Sequence, residues 1–253
     1  MKRLSSLKIA GILTASLAAS STFAAPIVFN NPGFETGNLS GWSSIGAVTA
    51  TPSTTVTTFD NTLWTINASG GYMAQLQSSG ASVATIESTL GVASGTLNAL
   101  NTNPNGGNLT NGSALYQGFS ANAGDTLSFA WNYVATDYVP FNDPSFALLI
   151  GPSQSVTVLA SIHGLGTQVG TSGNSGWLNY NATINTAGNY TLAFVTTNDK
   201  DQILNSFLHI DSSAGSCNPN CPSVPEPGSL GLLGLALTGL AGATRRRLRI
   251  VKG

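Results

Sequence analysis

The side chains able to do chemistry in this 253-residue chain are few, and most are carboxylates. Asp137, Asp143, Asp199 and Asp201 stand in stretches rich in turn residues, beside Asn142 and Asn198. Gathered at one end of a domain, such oxygens suit a hard cation such as calcium. The plainer reading of the same acids is solubility. Only two histidines occur, His163 among glycines and His209 in an apolar run, and His209 reads as a structural histidine. No nucleophile elbow, zinc-binding helix or phosphate-binding glycine loop accompanies them. Glu35 with Asp137, Asp143, Asp199 or Asp201 would make a glycosidase couple, but nothing in the spacing pairs them. Trp64, Tyr72 and Tyr138 offer flat faces for sugar rings or else fill core edges. Cys217 and Cys221, bracketing Asn218-Pro219-Asn220, have the spacing of a small disulfide loop, with reduced or intermolecular thiols as the alternative.

Strands must position these residues. Leu127, Phe129, Trp131 and Tyr133 alternate with small or polar residues, which gives one apolar face of a strand. Ser145 to Ile150, Val156 to Ile162, Trp177 to Ile184, Tyr190 to Thr196 and Ser206 to Asp211 read as further strands, and Val48 to Trp64 as two or three more. Leu178, Tyr180, Ala182 and Ile184 share a face. Val83, Ile86 and Leu90 fall instead at helical spacing, with Ser82 as N-cap and Gly91 as the stop, and Leu97 with Leu100 adds a turn. Asn101 to Gly112 and Thr197 to Asp201 read as loops. Seven to nine short strands with one short helix predict a mainly β chain: a single β-sandwich, jelly-roll-like, over residues 25–214.

Both ends carry address signals. Met1-Lys2-Arg3 with Lys8, the apolar run from Ile9 to Ala19 and Thr22-Phe23-Ala24 form a signal peptide, residues 1–24, with the cut placed after Ala24. A linker over 215–223 leads to Val224-Pro225-Glu226-Pro227, where two prolines enforce an extended, accessible segment. An apolar stretch at about 229–243 follows as a transmembrane helix, short against the roughly 20 residues a bilayer takes. Arg245, Arg246 and Arg247 then hold the tail in the cytoplasm and leave the domain outside.

Most basic residues lie in these two signals. Before the Pro-Glu-Pro segment the exported part keeps Lys200 against nine acids, a net charge of −8. Such a surface repels phosphate backbones and excludes nucleic acid as a partner.

The tail, as Val224 to Ser229, then Leu230 to Ala243, then Arg245-Arg246-Arg247, closely resembles the PEP-CTERM sorting signal of exported Gram-negative proteins. The resemblance implies an exosortase-type transpeptidase as partner, a stay in the inner membrane before processing, then the cell surface or extracellular matrix, and association with exopolysaccharide or biofilm. Asn31 to Trp42 resembles the opening of PEP-CTERM ectodomains and of galactose-binding-like carbohydrate-binding modules. There, the glutamate of a Gly-Phe-Glu opening helps hold a structural calcium with an aspartate of the last strand, which implies Glu35 and Asp211 here. With the loop acids, the calcium candidates are Glu35, Asp211, Asp143, Asp199 and Asp201, and no other cofactor is expected. The expected function is that of a non-catalytic surface or matrix protein; a secreted glycan-acting hydrolase and a calcium-stabilised spacer are the alternatives.

Overall fold

The structure, a computed structural model, describes residues 24–212. Residues 1–23 of the signal peptide, Cys217 and Cys221, the sorting motif from Val224 onward, the expected helix at 229–243 and the arginine run lie outside the described residues. In chain order the strands are β1 (Ser43–Ile45), β2 (Val48–Thr51), β3 (Thr54–Thr57), β4 (Leu63–Ile66), β5 (Met73–Gln77) and β6 (Ala81–Ser82). Helix α1 (Val83–Leu90) and a 3-10 turn (Asn98–Leu100) follow. The chain then forms β7 (Leu109–Ala121), β8 (Thr126–Val134), β9 (Ser145–Ile150), β10 (Ser155–Ser161), β11 (Thr167–Gln168), β12 (Leu178–Thr183), β13 (Gly188–Asp199) and β14 (Phe207–Ser212).

Two sheets result. One runs β1-β7-β13-β9-β10-β11 with β6 also on β7, and the other runs β12-β8-β14-β5-β2. Every strand pair is antiparallel except β10 with β11. Between the sheets lies the main core: Leu127, Phe129, Trp131 and Tyr133 of β8 and Leu208 and Ile210 of β14 meet Leu115, Leu149, Leu192 and Phe194 of the facing sheet. The expected alternation of β8 is therefore the inner face of the sandwich. Phe29, Phe34 and Trp42 close one end, with Trp42 5.7 Å from Phe129 and 5.6 Å from Phe34 between ring centroids. Fully burying each such side chain contributes roughly 1.5–3 kcal/mol.

Both outer faces are also covered. Val83, Ile86 and Leu90 of α1 pack on Ala114, Phe146, Leu148, Ala193 and Val195 of the larger sheet. The helix begins and ends where its sequence dictates: Ser82 Oγ accepts the Thr85 N–H at 3.2 Å, and Gly91 at φ 69° donates back to Glu87 and Ser88. On the smaller sheet the β3–β4 hairpin lays Val56 and Ile66 over Met73 and Val134.

The structure corrects two loops and has fourteen strands among the described residues where seven to nine were expected, β1, β5, β6, β7 and β11 being the added ones. Leu109 to Gly112 belongs to β7 and Thr197 to Asp199 to β13, where Thr197 pairs with Gly112 and Asp199 with Leu109. Their polar residues looked like loop because this end of the sheet is buried yet hydrogen-bonded internally: Asn198 Nδ2 donates to Asn111 Oδ1 at 3.1 Å, and Ser113 Oγ to Gln77 O at 2.6 Å. A Cβ on Gly112 would fall 2.3 Å from Thr196 O, so the close approach of the two strands requires glycine there. Leu178, expected on the inner face with Tyr180, is 38% exposed because β12 is the sheet edge.

Candidate functional site

The carboxylates settle at two places. Phe34, at φ 59°, turns its ring into the core and leaves Glu35 facing the Ser69–Gly71 segment that precedes β5. A bulky residue in the left-handed region is uncommon, and here it directs a core plug and a carboxylate in opposite directions. Glu35 Oε2 accepts the Gly71 N–H at 2.7 Å. Asp211, on β14, accepts the Ser69 N–H through Oδ2 and the Ser212 N–H through Oδ1, each at 2.7 Å. Burial pushes the Asp211 carboxyl up to about 6, and the charge of Glu35 adds to the rise. Gly70 sits so close that a Cβ there would lie 2.2 Å from Glu35 Oε1. Two carboxylates thus share one turn. The pair brings two carboxylates to one place with no base between them, and its oxygens accept the Ser69, Gly71 and Ser212 N–H groups.

Asp137, Asp143, Asp199 and Asp201 gather at the other end of β14, close enough for their charges to interact. Asp143 is fully buried at φ 43°; Oδ1 accepts the Asp199 N–H at 2.9 Å and Oδ2 the Ser206 hydroxyl at 2.8 Å. Burial drives its carboxyl well above the ordinary value. Asp199 takes amide hydrogens from Asn101 on Oδ1 and Asn103 on Oδ2, and Asp201 Oδ1 caps the Ile203 N–H. These oxygens are spent on the fold. Asp143, Asp199 and Asp201 are therefore not brought to Glu35 and Asp211, and among the described residues no three acid, histidine or cysteine side chains group as a metal set. Ser206, which holds Asp143, is five residues before Asp211, about 16 Å at roughly 3.3 Å per residue. That exceeds the roughly 5–9.5 Å of a glycosidase couple, so Glu35 forms no such pair with the loop aspartates.

The histidines are occupied structurally. His209 is buried, its ring stacked near Phe207 and its Nε2 3.1 Å from Gln75 Oε1, and burial lowers it to about 4, so it is neutral. His163 Nε2 lies 2.7 Å from Asn103 Oδ1, and burial lowers it also. Of the aromatic candidates, Trp64 donates Nε1–H to Ser172 O at 2.8 Å, Tyr72 lies over Gly37 beside Glu35, and Tyr138 is exposed with Phe59. Sequence reasoning missed Phe59 as a partner of Tyr138 because the two are joined only through the fold.

The tail is placed by sequence alone. Residues 223–247 match the family described as the PEP-CTERM protein-sorting motif. The chain carries a PEP-CTERM motif. PEP-CTERM motifs mark exported proteins, and exosortase processing goes with them in general. No curated protein matches the chain. Among solved structures it is similar to the carbohydrate-binding module TmCBM61 in complex with β-1,4-galactotriose, at 15% identity and TM-score 0.41, over 74% of this chain and 96% of that one. It is also similar to a structure described as explaining promiscuous specificity in carbohydrate-binding modules of the β-sandwich superfamily (12%, 0.37, 76% of this chain and 62% of that one). A third is the enzymatically active domain of tailspike protein 4 of bacteriophage CBA120 (13%, 0.35, 73% of this chain and 20% of that one). Likeness this distant says nothing of ligand or activity.

Proposed function

We propose that this protein is an exported, non-catalytic surface or matrix protein, associated with extracellular polysaccharide, whose tail is processed by an exosortase-type transpeptidase. The observation that carries the reading is the PEP-CTERM motif behind a closed β-sandwich whose carboxylates are hydrogen-bonded to the fold rather than poised as acid and base. Before processing, residues 229–243 anchor the chain in the inner membrane with Arg245 to Arg247 on the cytoplasmic side, and Cys217 with Cys221 lies in the linker outside. Calcium held by Glu35 and Asp211 would neutralise that carboxylate pair and fix the opening segment of the domain to β14.

The test is fractionation of the host expressing the full chain or its Glu226→Ala variant. The unaltered chain loses the tail mass and reaches the surface, whereas the variant stays in the inner membrane with its tail intact. Identical fates for the two overturn the reading.

A further inference from the structure

One loop cluster is tied together by hydrogen bonds and presents exposed aromatic rings. The turn joining β3 and β4, the segment between β8 and β9, and the loop before β12 are tied together by main-chain bonds: Phe59 N–H to Thr136 O at 3.3 Å, and Ser172 N–H to Asp137 O at 3.2 Å. Val139 N–H reaches Thr171 Oγ1 at 3.4 Å, and Asn103 Nδ2 holds Pro140 O at 2.9 Å. On this frame Phe59 and Tyr138 lie 4.8 Å apart and Tyr138 and Phe141 5.4 Å apart between ring centroids. Phe59 remains 42% exposed and Tyr138 39%. Rings that are exposed next to one another make a contiguous apolar patch, and such patches mark ligand or partner sites.

The platform is acidic. Asp60, next to Phe59, is an exposed carboxylate held low, at about 2, by the Thr58 hydroxyl and the Thr62 N–H. Asp137, next to Tyr138, is buried, and its Oδ1 accepts the Tyr138 N–H at 2.7 Å. Two further hydroxyls of the same loops, Thr136 Oγ1 and Ser172 Oγ, are buried without a hydrogen bond. Among the described residues the one Lys or Arg is Lys200, whose Nζ is held by Asn105 O at 3.0 Å.

We infer that the Phe59–Tyr138–Phe141 platform with Asp60 is a receptor for an amino sugar bearing a free ammonium group within a glycan. The inference rests on the reading of the protein as polysaccharide-associated and says which sugar it grips. A neutral sugar would stack on the rings and leave the exposed charge of Asp60 without a counter-charge, and a uronic acid would be repelled by a domain at −8. An ammonium satisfies both features, because aromatic faces and carboxylates each attract a cation.

The test is calorimetric titration of the full chain in detergent, at pH 6 and low salt, with a glucosamine oligomer, its N-acetylated counterpart and a neutral gluco-oligosaccharide. The glucosamine oligomer is expected to bind at least about tenfold more tightly than the other two, an advantage that fades with added salt. The Phe59→Ala/Tyr138→Ala double variant should lose about tenfold or more of that affinity, Asp60→Asn several-fold together with most of the salt dependence, and Tyr72→Ala none. Melting curves confirm that each variant is folded, and Asp60→Asn stands as the exposed, isosteric change should the double variant not fold. Equal affinity for the three sugars, or affinities that the platform variants leave untouched, overturns the inference while any glycan binding preserves the broader reading. Absence of binding to all three overturns the inference as well, and the broader reading falls with it only if the host's own polysaccharide is also not bound.

Discussion

Glu35 and Asp211, 176 positions apart in the sequence, hold the same short turn, Glu35 on the Gly71 N–H and Asp211 on the Ser69 N–H, each at 2.7 Å. A divalent cation on this pair would stabilise the folded state by mass action. Calcium at 100 times its dissociation constant is expected to add about 2.7 kcal/mol. Chelator should remove the gain, and Glu35→Gln or Asp211→Asn should abolish the response. Melting curves that coincide with and without calcium would count against the site.

Glu87 is expected to matter more than the cap of its own helix. It is buried, with Oε2 accepting the Gly95 N–H and Oε1 the Leu97 N–H, each at 2.8 Å. Glu87→Ala strands the buried Leu97 N–H and the part-buried Gly95 N–H and should cost about 2–4 kcal/mol in denaturant unfolding. Ser82→Ala removes one N-cap bond and should cost about 1 kcal/mol. The reverse order would show that Glu87 does not organise the segment after α1.

Asp143 sets a pH dependence of known sign. Its folded carboxyl titrates well above the ordinary value because it is buried, so the folded state holds the proton more tightly than the unfolded chain. That contribution is present at low pH and is lost as pH rises past the unfolded value of about 3.9. Asp143→Asn keeps an acceptor for the Asp199 N–H and suits the φ of 43°, yet carries no charge. Its stability curve should fall less steeply than that of the unaltered protein above about pH 4, so parallel curves would refute the burial argument.

The opening of the domain bears on where the signal is cut. Ala25 donates its N–H to Asp125 Oδ1 at 3.1 Å, and Ala25 O accepts the Thr126 N–H at 3.0 Å. A cut after Ala24 turns that N–H into an ammonium lying on a carboxylate. The exported protein should therefore begin at Ala25 by mass spectrometry. Asp125→Asn should lower the melting temperature of the cut chain more than that of the chain still carrying Ala24. Equal losses would separate Asp125 from the processed end.

Much of this was legible in the residues, for reasons that also mark where legibility stops. The strand through Leu127, Phe129, Trp131 and Tyr133 showed itself because one of its faces meets the core; α1 did so because Ser82 and Gly91 punctuate it. β7 did not, since both its faces are covered and its end carries Asn111, Gly112 and Ser113, whose polar groups are satisfied by strands distant in sequence. Asp143 and Asp199 read as loop acids, but local sequence cannot show that Ser206, Asn101 and Asn103 would claim their oxygens. The Phe59–Tyr138 platform belongs to the same class, made by a hairpin folding over a sheet.

The central claim, that the exported domain associates with extracellular polysaccharide, is tested most directly by co-sedimentation of the full chain with the polysaccharide of its own host, with calcium and with chelator. Saturable pelleting that weakens in chelator and in the Phe59→Ala/Tyr138→Ala variant is the expected result. A chain that stays in the supernatant at every polysaccharide concentration, calcium present, would contradict the account.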